Sequence, residues 1–182
     1  MGYLDTLDKV LTSNFQDATA EEKDRAAKDV IEICSFACAG LVLQPIPGLE
    51  TAVLPIQAGM VLALAHVFGE EISKKRAHEI VMDLAAITGV SIVGRAALRT
   101  AIKLLLPGIG GVVAAPFTFS ATWGTGYAAI HYLKSVKSGA KPDAAKIREI
   151  FEAEKKRSEA HYSDKKAREN RPNEQDLAEP KA

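Results

Sequence analysis

The feature that most constrains this chain is the stretch from Ala37 to Met60, which carries a single charge, Glu50, and is interrupted by Pro45-Ile46-Pro47-Gly48. Proline lacks the amide hydrogen that a helix needs and restricts the residue before it, so no helix passes through Pro45 and Pro47. The stretch therefore reads as an apolar helix, a corner at Pro45, Pro47 and Gly48, and a second apolar helix. The same signal returns sixty positions later in Leu106-Pro107-Gly108-Ile109-Gly110, and Pro55 and Pro116 follow the two corners at nearly equal offsets. Two copies of a helix–corner–helix unit would pair their apolar faces in one bundle. The expected fold class is all-α.

Charged sequence brackets and joins these two hairpins. Tyr3, Leu4, Leu7, Val10 and Leu11 recur at helical spacing, which predicts an amphipathic helix ending near Phe15. Its polar face, with Asp5, Asp8 and Lys9, is mostly acidic, so docking onto the protein's own body is expected rather than onto anionic lipid. Thr19 followed by Glu22 is a capping-box pattern and starts a long helix, charged up to Asp29 and uncharged from Ile33 to Pro45. The third helix is expected over Leu49–Phe68 with Gly69 as its stop, and Pro55 calls for a kink or a late start. In the Glu70–Asp83 connector Ser73 caps a helix whose stripe is Ile80, Val81, Leu84 and Ile87.

Beyond the second corner an uncharged run reaches Leu133, with Pro116, Gly124 and Gly126 arguing against one straight helix. Pro142 and Asp143 suit a helix start, and Arg148–Glu152 and Glu152–Lys156 have i,i+4 ion-pair spacing. Lys155-Lys156-Arg157 and Lys165-Lys166 are interleaved with Glu154, Glu159 and Asp164, as on a solvated helix rather than a polybasic anchor. The chain thus divides into an amphipathic helix (1–18), an apolar hairpin bundle (19–138), a charged helical arm (139–168) and a disordered tail (169–182).

Composition narrows function. Lys and Arg total 23, Asp and Glu total 23, and aromatics are 6 %, so the chain has neither the cationic surplus nor the stacking platforms that nucleic acid requires. Cys34 and Cys38 lie four apart in an apolar run, which predicts two small buried residues. Without further ligands in register no metal site is expected, and no cofactor. The corner at Pro107-Gly108-Ile109-Gly110-Gly111 is followed by Val112-Val113 where a P-loop needs Lys and Ser or Thr, so it is a turn and not a phosphate cradle. No acid–base pair or nucleophile constellation emerges.

Two polar features stand out. Arg95, Arg99 and Lys103 follow one another at four-residue steps on one helix face. They either hold lipid headgroups or an acidic partner, or pair internally with Glu70, Glu71, Glu79 or Asp83. Each would cost roughly 2.5–3.5 kcal/mol at a bilayer centre, which argues against four full spans. Gln57 and His66 lie on an otherwise apolar helix, either as satisfied core groups or lining a pocket for a lipid tail or quinone.

With these residues in view, the chain resembles a known family. The order Pro-Ile-Pro-Gly (45–48), Pro-Ile-Gln-Ala-Gly-Met (55–60), Phe-Gly-Glu-Glu-Ile-Ser (68–73), Gly-Arg-Ala (94–96), Leu-Pro-Gly-Ile-Gly (106–110) and Gly-Tyr-Ala-Ala-Ile (126–130) is similar to the bacterial domain of unknown function six-nine-seven, over roughly residues 29–138. That resemblance implies an all-helical hydrophobic module without established catalytic residues. Such modules are often attached to Era-like GTPase domains and often membrane-associated. No nucleotide-binding domain precedes the module here, so a GTPase would act in trans. The sequence therefore predicts a non-catalytic module, peripheral or partly inserted at the cytoplasmic face of the inner membrane, that recruits or scaffolds a partner protein. The alternative is a soluble homo-oligomeric subunit whose apolar interior holds lipid or quinone.

Overall fold

The computed structural model describes residues 3–44, 49–89 and 110–172. These form an all-α bundle, with seven α-helices, two 3-10 turns and no strand among the described residues. The corner residues Pro45, Pro47, Gly48, Pro107 and Gly108, and the cationic stripe Arg95, Arg99 and Lys103, lie outside the described residues. Gly110, expected to belong to the second corner, is instead the first residue of a helix.

Helix α1, Tyr3–Thr12, buries Tyr3, Leu7 and Val10 against α2 and α3, the internal docking its acidic polar face predicts. Helix α2, Ala20–Val42, opens with the expected capping box: the Thr19 hydroxyl accepts from the Glu22 amide at 3.2 Å, and the Glu22 carboxylate accepts from the Thr19 amide at 2.8 Å. Those reciprocal bonds hold the Glu22 carboxyl below its ordinary pKa. From Cys34 to Leu41 every residue of α2 is buried, as expected of a helix apolar on all sides. Both thiols are free, and burial pushes that of Cys34 well above its ordinary pKa.

A 3-10 turn at Leu49–Ala52 leads into α3, Val53–Val67. Pro55 thus falls in the first turn of α3, where its missing amide has no intrahelical partner to lose. Gly69, at φ 73°, closes α3 as expected: its amide donates to the His66 carbonyl at 3.0 Å while the Glu70 amide donates to that of Ala65 at 2.8 Å. This Schellman arrangement needs a left-handed residue, which glycine adopts at least cost. Helix α4, Lys74–Thr88, is capped by the Ser73 hydroxyl at 3.1 Å from the Arg76 amide and buries Ala77, Ile80, Val81 and Leu84.

Helix α5, Gly110–Lys137, is continuous through Pro116 and both glycines, and packs against α2, α3, α4 and α6. Its glycines set the spacing. A Cβ on Gly124 would lie 2.8 Å from the Phe151 carbonyl oxygen, and one on Gly126 would lie 2.6 Å from Ile31 Cγ1, so α6 and α2 approach α5 more closely than any side chain allows. Helix α6, Ala144–Ser158, is capped by Asp143 as predicted and buries Ile147 and Phe151. The predicted Arg148–Glu152 pair gives way to a long-range one. Arg148 donates from Nε and Nη2 to the Ile87 carbonyl at 3.0 and 2.7 Å, capping α4, and Glu152 pairs with Lys155 at 3.7 Å.

The C-terminal arm differs from the single charged helix expected over 139–168. A 3-10 turn at Glu159–His161 ends α6, and the chain re-forms a helix, α7, at Asp164–Glu169. Ala167 and Pro172 are buried, so packed structure continues past the predicted start of the tail at 169. Residues 173–182 lie outside the described residues.

Candidate functional site

The two polar residues expected to line an apolar pocket are consumed by the fold. Gln57 on α3 is buried, and its Nε2 donates to the Thr122 hydroxyl of α5 at 3.0 Å. His66 Nε2 donates to the Ser13 carbonyl at 2.8 Å, and its ring meets Phe15 edge-on at 6.0 Å, which ties the loop after α1 to the end of α3. These are satisfied core and interface groups, and neither lines the cleft described below.

A polar network missed by spacing joins α4 to α5. Tyr132 donates its phenolic hydrogen to Asp83 Oδ2 at 3.2 Å and accepts from Arg76 Nη2 at 3.1 Å. Arg76 also reaches Glu79 at 3.2 Å, and this bond, with the tyrosine, raises the guanidinium pKa further. Nearby, Lys137 donates to the Phe68 carbonyl at 2.6 Å and pairs with Glu70 at 3.4 Å. Glu70, Glu79 and Asp83 of the connector thus each have a partner among the described residues.

An aromatic cluster holds the C-terminal arm. Phe36 of α2 packs on Phe119 of α5 at 4.6 Å, Phe119 on Trp123 at 5.7 Å and on Tyr162 at 5.6 Å. The His161 ring stacks on Trp123 at 5.3 Å and 9°. Trp123 Nε1 is buried without a hydrogen-bond partner among the described residues, a cost of roughly 1–3 kcal/mol. Burial together with the Asp164 carboxylate, which accepts its hydroxyl hydrogen, pushes the Tyr162 pKa up strongly.

The open concavity lies between α1, α2 and α7, a cleft of about 690 Å³. Val10, Phe15, Ala26, Ile33 and Phe36, buried or half-buried, make its apolar floor. Exposed charges rim it: Glu22, Arg25 and Asp29 from α2, Lys9 from α1, and Lys166 and Glu169 from α7. Helical spacing places Glu22, Ala26, Asp29, Ile33, Phe36 and Gly40 along one face of α2. The clue in the sequence was this apolar thread, which runs on through the charged half of the helix at Ala26.

At the far end of that face α7 crosses Gly40. A Cβ there would run into the Ala167 carbonyl oxygen and would lie 3.0 Å from Arg171 Cα. Lys166 forms an ion pair with Glu32 of α2 and sits 4.9 Å from the centre of the Phe36 ring. The cleft has no nucleophile–base pair, and no group of three or more His, Cys, Asp or Glu side chains among the described residues could hold a metal ion. It offers a surface with an apolar floor and charged edges.

The fold and cleft define an all-α bundle with a surface groove. No family model, curated protein or solved structure matches the chain.

Proposed function

We propose that this chain is a non-catalytic helical module that recruits a partner protein at a membrane surface. The observation that carries the reading is the cleft between α1, α2 and α7, whose apolar floor and charged rim suit a polypeptide segment better than a small metabolite. The resemblance in the sequence adds a GTPase acting in trans as the partner class, and the uncharged segments 45–48 and 106–109 are the proposed membrane contact. The contact is peripheral in this reading, because no described helix is long and apolar enough to cross a bilayer. Helix α3 has 15 residues where a span needs about 20, and its apolar side chains are already covered by α1, α2, α4 and α5.

Vesicle flotation tests the reading. The full chain is expected to float with vesicles containing phosphatidylglycerol, and Arg99→Glu to reduce the floating fraction several-fold without changing the melting temperature. Sedimentation of the wild-type chain away from both anionic and neutral vesicles would overturn the membrane part of the reading.

A further inference from the structure

We propose that the face of α2 from Glu22 to Gly40 is a docking groove for a cationic helix bearing a small residue, and that α7 occupies its Gly40 end in cis. This inference rests on the recruitment reading and names the chemistry of the partner. The occupied end shows what the groove accepts. Ala167 is fully buried over Gly40, so the crossing helix must present a small residue where the two backbones come closest. Lys166, one residue earlier, satisfies Glu32 and covers the Phe36 ring. The groove therefore selects a small residue next to a cation.

Helix α7 covers only part of this face. Gly40 lies eighteen positions after Glu22 on α2, about 27 Å at 1.5 Å per residue, whereas the six residues of α7 span about 9 Å. The open remainder is the cleft itself, where Ile33 and Ala26 continue the floor and Asp29 makes no ion pair among the described residues. With Lys166 withdrawn, the acids of the groove, Glu22, Asp29 and Glu32, outnumber its cations, Lys9 and Arg25, which leaves a net acidic face. That acidity favours a basic helix and disfavours an anionic lipid surface at this face.

The cis occupant is suited to displacement. A helix of six residues is too short to persist alone, so α7 takes its helicity from the groove. Beyond α2 it touches α5 only lightly. A tether this short gives it an effective concentration on the order of millimolar, so an α7 segment with a Kd of about 0.1 mM in trans shields the groove about ten-fold from an external helix.

The experiment uses the full chain and a fluorescein-labelled peptide with the sequence of residues 159–172, followed by anisotropy. Ala167→Leu is made to lift α7, since no room exists for a larger side chain above Gly40. Lys166→Glu provides a second release variant should the first not fold. Hydrogen exchange reports whether the α7 amides have lost protection. The released variant is expected to bind the peptide about ten-fold more tightly than wild type. A peptide with glutamate in place of Lys166, or a scrambled peptide of equal charge, should lose that gain.

Equal binding by wild type and a variant whose α7 amides exchange freely would overturn the proposal. So would undiminished binding of the charge-reversed or scrambled peptide, or an α7 that keeps its protection in both variants. Flotation of the same samples reports on the membrane reading separately, because the peptide assay contains no lipid.

Discussion

Gly126→Ala measures how closely α5 and α2 approach. The added Cβ would stand 2.6 Å from Ile31 Cγ1, 3.0 Å from Cδ1 and 3.1 Å from Cγ2, against an ordinary carbon–carbon separation of about 3.5–4.0 Å. Ile31 is fully buried and stiff at χ1, so it cannot swing aside cheaply. Overpacking of this kind costs about 1–3 kcal/mol, and three simultaneous contacts place this site toward the upper end. Replacing glycine inside a helix returns about 0.8–1.0 kcal/mol of propensity. The expected net loss is about 1–2 kcal/mol, read by urea denaturation monitored through far-UV circular dichroism. Each kcal/mol corresponds to about 2–4 °C in Tm for a chain of this size. Ile31→Ala alone should cost about 2–5 kcal/mol. The double variant should be about 1–3 kcal/mol more stable than the sum of the two losses, because the new methyl group enters the space that Ile31 vacates. A gain of about 1 kcal/mol from Gly126→Ala alone would be propensity without packing, and it would refute the argument. Additivity within about 0.5 kcal/mol would refute it equally.

The polar groups give two further tests. Gln57→Leu should destabilise by about 1–3 kcal/mol in urea denaturation by stranding the buried Thr122 hydroxyl, and adding Thr122→Val should recover most of the loss. Thr19→Ala should cost about 0.5–2 kcal/mol and return the Glu22 carboxyl toward its ordinary value of 4.5 in an NMR titration. The folded pKa of Glu22 is depressed, so its stabilisation is present above about pH 4.5 and lost as pH falls through the folded value. The variant's melting temperature should accordingly fall less steeply than wild type on the acid side.

What the sequence disclosed is what short-range rules control. The Thr19–Glu22 box, the Ser73 and Asp143 caps and the Gly69 stop each involve residues five or fewer apart, and each stands as the spacing predicts. Pairings across the fold escaped those rules. His66 reaches Ser13 and Arg148 reaches Ile87, and in neither case does helical periodicity point at the partner. The α7 contact escaped for a subtler reason: its recognition depends on the side chain that Gly40 lacks. A search for an apolar stripe in residues 163–172 finds little, because close approach of two backbones needs small residues rather than large ones. Charge segregation, the strongest global signal, fits a membrane hairpin and a water-exposed bundle equally well. In both, ionised groups avoid the interior.

The position of the cleft follows from how α2 divides its surface. In its second half every side is taken: Ile31 faces Gly126 of α5, Cys38 approaches the Val53 carbonyl at 4.0 Å, and Gly40 receives α7. A helix apolar on all sides must find neighbours on all sides, and those neighbours fix the bundle around it. Its first half carries charges that a neighbour could cover only by desolvating them, and the cleft between α1 and α7 stays open there. Yet Ala26 and Ile33 keep an apolar line along that same half, too narrow to recruit a helix of this chain and too continuous to be fully solvated. A surface left in that condition is stable in water and gains by association. This is the physical basis for placing the proposed partner at the α2 groove rather than at Met82 or Val136, exposed apolar side chains outside the cleft.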